Sequence, residues 1–272
     1  MTAAERWTRD LKAWALPRHI LDAVPVSPWG YSPDLFIARA DAAPRTPTPS
    51  ILAAREALPQ GGDVLDVGCG AGAASLPLAP MAGRLIGVDL SAQLLAAFRE
   101  RAVARGALVD TVEGSWPDVA ARTPAADIVV CQHVAYNVPD LAPFLRRLTD
   151  HARRRVIVEL TTEHPMAALN SLWLRFHGLA RPARPTADDA VLVLRELGLS
   201  PRRADWVAPA FGWGRPFARR EDLVTSVRRR LCLPSERDPE IAEALAALLV
   251  ECDGAVSLPP RPAVTLWWDA TA

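Results

Sequence analysis

The sequence is poor in lysine and carries no net charge. Lys12 is the only lysine, and 31 basic residues balance 31 acidic ones over 272 residues. A domain that depends on nucleic-acid binding normally has a basic excess, so this balance argues against a broad nucleic-acid surface. The preference for arginine, together with abundant alanine and proline, is typical of a GC-rich genome and gives little support for phosphate recognition.

Cysteine is also scarce, and long apolar runs are missing. The four cysteines form no C-x-x-C pair, and no Cys/His spacing resembles a zinc site. No stretch approaches the ~20 apolar residues of a membrane span, and the N-terminus has no apolar signal core. We therefore expect a reduced, soluble, cytoplasmic protein with no metal and no membrane partner.

Strand and helix patterns alternate along the chain. Half of the residues are hydrophobic, which is enough for a sizeable core. The predicted strands are 63–67, 84–90, 107–112, 126–131, 155–160, 204–209 and 263–270. Helices are predicted between them and near 220–231 and 239–251, with a short or kinked helix around Pro77. This alternation predicts an α/β fold with a parallel sheet and right-handed crossovers.

An N-terminal arm is predicted to precede the main domain. Prolines break regular structure between residues 25 and 49, apart from a short helix near Leu35–Ala40. We divide the chain into a helical arm or lid, 1–50, and a main domain, 51–272. Within the main domain, segments 161–185 and 211–255 are expected to cover a substrate. Trp29, Tyr31 and Phe36 of the arm are candidates for an apolar wall that closes over a ligand.

A glycine-rich turn is the most informative segment. A buried strand ends at Asp66, and glycines follow at positions 68, 70 and 72. Glycines without Cβ atoms let a ligand touch the backbone, and ligands of open α/β sheets sit at the carboxyl ends of strands. A dinucleotide fold would use the spacing G-x-G-x-x-G. The spacing here is G-x-G-x-G, and a carboxylate at Asp66 suits an ammonium or hydroxyls better than a pyrophosphate.

A second acidic residue ends the next strand. In the segment Ile-Gly-Val-Asp-Leu-Ser, Asp89 stands where a carboxylate would grip ribose hydroxyls. The alternative role for Asp89 is a helix cap, which Ser91 is equally able to provide.

These two segments resemble a known family. DVGCGAG and GVDLS are similar to the first and second motifs of class I S-adenosylmethionine-dependent methyltransferases, and the resemblance covers roughly residues 50–160. It implies a Rossmann-like, seven-stranded, mostly parallel sheet with helices on both faces. It also implies S-adenosyl-L-methionine as cofactor. The cofactor-binding residues that it implies are Asp66, Gly68, Cys69, Gly70, Gly72, Asp89, Leu90, Gly114, Ser115, Trp116, Cys131 and Gln132.

The resemblance assigns these residues to different parts of the cofactor. Asp66 and the glycines would line methionine and ribose, and Asp89 would bind the ribose hydroxyls. Leu90 and Trp116 would pack near adenine, with Ser115 standing where the family most often has Asp. Cys131 and Gln132 would lie beside the methionine end.

The loop after the fourth strand carries the catalytic candidates. His133 is expected to contact the substrate and to act as a general base, which suits imidazole near neutral pH. Its alternative role is a hydrogen bond to the cofactor carboxylate or to the loop. Tyr136 and Asn137 are further candidates, and their alternative role is to fix the loop. After the fifth strand, His164 and Glu163 are expected to form a second acid/base pair or an exposed turn.

The expected reaction is in-line methyl transfer to a small-molecule acceptor. The sequence does not determine whether the accepting atom is O, N, S or C. Two alternatives remain. An RNA or protein methyltransferase is one, although the chain has no D/N-P-P-Y/F motif and no broad basic charge. A non-catalytic regulator that binds S-adenosylmethionine is the other.

Overall fold

The computed structural model describes most of the chain. The described residues are 1–24, 27–30, 32–42, 47–208, 217–252 and 254–270. Tyr31 of the predicted apolar wall, and residues 211–216 of the second predicted cover segment, lie outside them.

Seven strands form one mostly parallel sheet. They are β1 (Gly62–Val67), β2 (Ala82–Asp89), β3 (Leu108–Glu113), β4 (Ala126–Gln132), β5 (Ala152–Thr161), β6 (Arg202–Ala208) and β9 (Arg261–Asp269). Their order across the sheet is β3-β2-β1-β4-β5-β9-β6. Only β9 is antiparallel to its two neighbours, and the remaining pairs are parallel. The predicted Rossmann-like α/β fold is confirmed.

Helices cover both faces of the sheet. They are α1 (Ala3–Lys12), α2 (Arg18–Leu21), α3 (Pro33–Asp41), α4 (Pro49–Ala57), α5 (Ala92–Ala104), α6 (Leu141–Asp150), α7 (Asn170–His177), α8 (Ala187–Glu196), α9 (Arg220–Arg230) and α10 (Asp238–Ala246). Local sequence sets several helix starts: Ser32, Thr48 and Ser91 cap their helices by accepting backbone amides, and proline occupies the first turn of α3 and α4. No helix in the described ranges is long and apolar enough to cross a membrane.

Two segments differ from the sequence-based expectation. Between β1 and β2, where the chain is fully described, the expected helix is reduced to a 3-10 turn at Leu76–Leu78 that contains Pro77. The helix predicted over 239–251 ends at Ala246, and Val250–Cys252 forms strand β7, paired with β8 (Ala255–Ser257). This second prediction was wrong because a short apolar run cannot be assigned to helix or strand by periodicity alone.

The arm packs on both faces of the sheet. Trp7 and Leu11 of α1 are buried in the core layer that contains α6 and α8, and the Trp7 indole donates to the carbonyl of Val138 at 2.9 Å. Phe36 of α3 and Ile51 of α4 belong to the layer on the opposite face. The arm therefore runs from one face of the sheet to the other past the carboxyl ends of the strands.

Candidate functional site

The turn after β1 is tied to the end of β2. The amides of Gly68 and Cys69 donate to the carbonyl of Val88 at 2.8 and 3.0 Å. The Gly70 amide donates to Asp89 Oδ2 at 2.8 Å. These bonds hold two acidic strand ends, those of β1 and β2, beside one turn.

The three glycines of the turn have different reasons to lack a side chain. All three have positive φ angles, of 72°, 52° and 98° in chain order. A Cβ on Gly68 would overlap Val134, and one on Gly72 would overlap the core residues Phe98 and Leu76. A Cβ on Gly70 would only reach ordinary contact, 3.4 Å from Phe36 Cδ1. A side chain at Gly72 would therefore point into the core, and the place of its backbone in a ligand-binding surface stays a prediction.

Asp66 has one satisfied and one unsatisfied carboxylate oxygen. The side chain is buried, and Oδ2 accepts a hydrogen bond from Ser75 Oγ at 2.6 Å. Oδ1 is also buried and has no hydrogen-bond partner among the described residues. Burial, with a contribution from the charge of Asp89, raises the pKa of Asp66 to about 7. A buried carboxylate oxygen without a donor is costly, so this atom is suited to a cationic or hydrogen-bonding ligand.

Asp89 keeps acceptor capacity toward the cleft. Its Oδ1 accepts the Ser91 amide at 2.9 Å, and its Oδ2 accepts the Gly70 amide. Ser91, not Asp89, caps α5 by accepting the Leu94 amide at 3.3 Å. A carboxylate has about four lone-pair sites, so two remain for donors such as a vicinal diol.

His133 and Glu159 form a pair at the ends of β4 and β5. His133 Nε2 lies 3.1 Å from Glu159 Oε1, while His133 Nδ1 lies 3.5 Å from the hydroxyl of Tyr136. Burial and the nearby charge of Arg39 lower the pKa of His133 below its ordinary value, although Glu159 acts in the opposite direction. The imidazole is therefore neutral near pH 7 and able to accept a proton.

Glu159 is a buried carboxylate that the sequence did not single out. Ser50 Oγ donates to its Oε2, and Ser50 also lies 2.9 Å from Thr265 Oγ1. Arg39 Nη2 lies 3.9 Å from its Oε1. Burial alone would raise the pKa of Glu159, but the hydrogen bonds and the charge of Arg39 outweigh it, so the pKa is lowered. Glu159 is therefore an anion that faces the His133 ring.

The other two candidates of this loop, Tyr136 and Asn137, have surroundings that differ from those of His133. The hydroxyl of Tyr136 is bonded to the backbone amide of Thr161 and lies 2.9 Å from Thr161 Oγ1. Burial raises the pKa of Tyr136, so it fixes the loop as a neutral phenol. Asn137 is exposed at the end of the same turn, and the structure does not bring it to His133.

The predicted second acid/base pair, His164 with Glu163, is not formed in the structure. Its ring is buried and stacks on Trp14 at 3.9 Å between centroids. Its Nδ1 accepts the Met166 amide at 3.2 Å and so caps a 3-10 turn. Burial lowers its pKa to about 3, whereas Glu163 is exposed. His164 thus anchors the arm as a neutral ring, and the pair with Glu163 is not formed.

Comparison with known proteins identifies the domain that holds this turn. Residues 64–155 match the family model described as a methyltransferase domain. This match confirms the resemblance of the two motifs to class I S-adenosylmethionine-dependent methyltransferases. The fold agrees with two solved structures. A cyclopropane-fatty-acyl-phospholipid synthase-like protein from Lactobacillus casei has a TM-score of 0.54 and 16% identity, over 88% of this chain and all of that chain. The YcgJ protein from Bacillus subtilis has a TM-score of 0.53 and 20% identity, over 81% and 97%.

Curated methyltransferases are similar in sequence over the same part of the chain. The ubiquinone biosynthesis O-methyltransferase of Xanthomonas campestris is 36% identical over 96 residues, which are 35% of this chain and 40% of that protein. The protein of the same name from Azorhizobium caulinodans is 32% identical over 99 residues, 36% and 39% of the two chains. The chain thus spans about two fifths of the length of these relatives.

The residues of the candidate site fit S-adenosylmethionine. The buried, partnerless Oδ1 of Asp66 suits an ammonium, and the spare lone pairs of Asp89 suit ribose hydroxyls. Gly70 presents a backbone without a side chain beside the Asp89 carboxylate, to which its amide donates. Among the described residues, no three His, Cys, Asp or Glu side chains are grouped so that they could hold a metal ion.

Two residues predicted to bind the cofactor, Cys131 and Trp116, have side chains that are buried in the core. Successive side chains of a strand point to opposite faces, so Cys131 faces the core layer of α6, while Gln132 lies on the face of Asp66. Burial raises the pKa of the Cys131 thiol. Trp116 is also buried, with its ring edge-on against His151 at 4.8 Å. The predicted places of Cys131 beside methionine and of Trp116 near adenine stay predictions.

The remaining predicted cofactor residues lie around the end of β2. The Gly114 amide donates to the carbonyl of Asp89 at 2.9 Å, and a Cβ there would overlap Val119, so Gly114 serves packing. Ser115 is exposed next to it. Leu90 is 71% exposed beside Asp89, open to a ligand on that side. Cys69 is buried within the turn, and burial raises the pKa of its thiol.

Proposed function

We propose that this protein transfers a methyl group from S-adenosylmethionine to a hydroxyl of a small molecule. The observation that carries this proposal is the His133–Glu159 pair at the same strand edge as the glycine turn and Asp66. Asp66 would hold the ammonium of the cofactor and so align it. The neutral His133 would remove the proton of the acceptor.

The cofactor would be held by four groups of this chain. Asp66 would take its ammonium and Asp89 its ribose hydroxyls, while Gly70 offers bare backbone and Leu90 an apolar surface for adenine. When bound, S-adenosylmethionine supplies a methyl group on a sulfonium, a leaving group that needs no acid. The task left to the protein is to align the acceptor, exclude water and remove the acceptor's proton.

His133 is the group placed to remove that proton. Glu159 Oε1 faces Nε2, which favours the tautomer with hydrogen on Nε2 and a lone pair on Nδ1. Nδ1 points toward Tyr136, so an acceptor hydroxyl beside Tyr136 would give its proton to Nδ1. A base is needed for a hydroxyl and not for a thiolate or neutral amine. The matched relatives are named O-methyltransferases, which agrees with this acceptor.

A small acceptor also agrees with how the arginines are used. Arg153 pairs with Asp63 and Asp127 within 3.6 Å, and Arg229 donates to the carbonyls of Ser27 and Gly30. Both arginines are therefore used in internal contacts. They do not supply the basic surface that a nucleic-acid substrate would require.

The test combines binding with turnover. Calorimetry with S-adenosylmethionine and S-adenosylhomocysteine measures cofactor affinity, and mass spectrometry detects methylation in panels of phenols, alcohols, amines and thiols. Methylation of hydroxyl compounds that is lost in His133→Asn supports the proposal. Methylation confined to amines or thiols rejects the hydroxyl acceptor. Cofactor binding without any turnover supports the regulator, and methylation of RNA or protein supports the macromolecular alternative.

A further inference from the structure

Glu159 and Thr265 face each other across the antiparallel pair of β5 and β9. Opposite residues of such a pair lie on the same face of the sheet, and here this is the face that α4 covers. Thr265 is also paired with Ala204 of β6. Side chains two positions apart on a strand share a face, so Trp206 lies on this face as well. Three neighbouring strands thus place a carboxylate, a hydroxyl and an indole on one side of the sheet.

Helix α4 adds a fourth polar side chain to this group. Ser50 lies in the first turn of α4. Its Oγ donates to Glu159 Oε2 and lies 2.9 Å from Thr265 Oγ1. The Trp206 indole donates to Thr265 Oγ1 at 3.2 Å. Ser50, Glu159 and Thr265 are each no more than 2% exposed, so bulk water does not compete for these bonds.

The two ends of this chain of four side chains fix the direction of every hydrogen bond in it. An indole N–H can only donate, and an ionised carboxylate can only accept. Ser50 gives its one hydroxyl hydrogen to Glu159, so in the bond between the hydroxyls Thr265 is the donor and Ser50 the acceptor. Thr265 in turn accepts from Trp206. The chain cannot carry a proton away from Glu159, because the indole has no lone pair to receive one. Its effect on Glu159 is therefore orientation.

The Glu159 carboxylate is held at both of its oxygens. Oε1 lies 3.1 Å from His133 Nε2, and Oε2 accepts from Ser50. The last torsion of a glutamate side chain has broad preferences, so covalent geometry alone does not aim Oε1 at the imidazole. The bond from Ser50 supplies that restraint, since the carboxylate cannot turn about this torsion without breaking it.

We propose that Ser50 is a positioning residue for methyl transfer, which fixes the Glu159 carboxylate so that Oε1 faces His133. Thr265 and Trp206 fix the Ser50 hydroxyl in the same way. This inference rests on the proposed function, in which His133 is the base. It extends the machinery of the site from the ends of β4 and β5 to α4 and to β6 at the edge of the sheet.

The first test is the pH profile of Ser50→Ala. Burial and the charges of Arg39 and Arg261 lower the pKa of His133, and Glu159 opposes them. A carboxylate that is free to turn away would oppose them less, so the acidic limb should move to lower pH, in the same direction as in Glu159→Gln. We expect the plateau rate to fall by about three- to tenfold, less than the ~10²-fold range for loss of a base. Cofactor affinity should stay the same, and Ser50→Thr, which keeps the hydroxyl, should restore the profile.

A double-mutant cycle separates positioning from general stability. Ser50→Ala should lower turnover in the wild-type background and have no further effect in the Glu159→Gln background, because residues that act through one group are not additive. An equal loss of turnover in both backgrounds overturns the proposal.

Thr265→Val gives a second variant and has a matched control. It should reproduce the change of Ser50→Ala more weakly, whereas Thr265→Ser should not. The control is Thr149→Val. Thr149 Oγ1 likewise accepts an indole, that of Trp268 at 3.0 Å, and donates to the Leu145 carbonyl at 3.0 Å. This pair lies on the opposite face of the sheet, so its loss should leave the profile unchanged.

Nitrogen NMR of the His133 ring gives a readout that needs no acceptor. The signal is identified among the five histidines by its loss in His133→Asn. The wild type should show mainly the tautomer with hydrogen on Nε2, and Ser50→Ala should show less of it. An unchanged tautomer together with an unchanged pH profile overturns the role of Ser50 and leaves the proposed function intact. If His133→Asn retains full turnover, the proposed function fails and the catalytic part of this inference falls with it, while the tautomer still reports whether Ser50 orients the pair.

Discussion

His133 and Glu159 are joined twice, once through their side chains and once through the backbone. Nε2 and Oε1 are 3.1 Å apart, and the His133 amide donates to the Glu159 carbonyl at 2.8 Å. His133 adopts a φ of 58°, a left-handed conformation that is uncommon for a residue with a side chain. The backbone bond and the unusual φ together aim the ring at Glu159, so the pair is oriented before any substrate binds.

Replacing His133 by asparagine tests its role as the base. Asparagine tolerates the left-handed conformation better than alanine does, so this change removes the imidazole with little backbone strain. We expect turnover to fall by about 10²-fold or more, the range of general base catalysis. Cofactor affinity by calorimetry should stay the same. A loss of affinity with turnover retained would instead make His133 a cofactor ligand.

Glu159→Gln tests whether the carboxylate positions and tunes His133. Glu159 raises the pKa of His133 against the effect of burial, so its loss should lower that pKa further. The acidic limb of the rate profile, which reports the deprotonation of His133, should move to lower pH, and the plateau rate should fall. A profile with the wild-type midpoint would show that Glu159 does not influence the base. Cofactor affinity, measured in parallel, distinguishes this effect from a damaged site.

Local signals were sufficient to predict the sheet and the cofactor turn. The glycine spacing, the acidic strand ends at Asp66 and Asp89, and the alternating apolar strands are contiguous patterns. Pro77 also predicted that the helix after β1 would be short or kinked, and the structure reduces it further, to a 3-10 turn.

The polar cluster at the site was not predictable in the same way. Arg39, Ser50, Glu159 and Thr265 are separated by as many as 226 residues in sequence and meet only in the folded chain. The one local signal was a lone glutamate in the apolar strand Val-Ile-Val-Glu-Leu, since a buried charge needs a partner. Motif position also did not show that the side chains of Trp116 and Cys131 lie in the core.

Gly70→Ala, compared with Gly61→Ala, tests whether the turn touches the cofactor. Both glycines have positive φ, but a Cβ at Gly61 meets nothing within 4 Å, whereas one at Gly70 meets Phe36. Both variants should therefore lose about 1 kcal/mol of stability through backbone strain. Only Gly70→Ala should also lose cofactor affinity, by about tenfold, or ~1.4 kcal/mol. Equal affinities in the two variants would remove Gly70 from the binding surface.

Asp66→Asn should stabilise the protein above neutral pH and weaken the cofactor complex. The pKa of Asp66 is raised to about 7 by burial, with Asp89 adding to it and Ser75 and Arg39 opposing it. The folded state therefore holds a proton that the unfolded state, with a pKa of about 3.9, releases between pH 4 and 7. The free energy of unfolding consequently falls as pH rises through that window, by an amount on the order of a few kcal/mol.

Asparagine cannot ionise, so the variant should escape this loss. Thermal melts should show a higher midpoint than the wild type at pH 8 and a smaller difference at pH 5. In calorimetry, the affinity of the wild type for S-adenosylmethionine should rise with pH through about 7, because the ammonium binds the ionised carboxylate, and the variant should bind weakly at every pH. A variant that melts below the wild type at pH 8 would mean that the folded protein itself satisfies the Asp66 charge, which would leave Oδ1 with no need of a ligand.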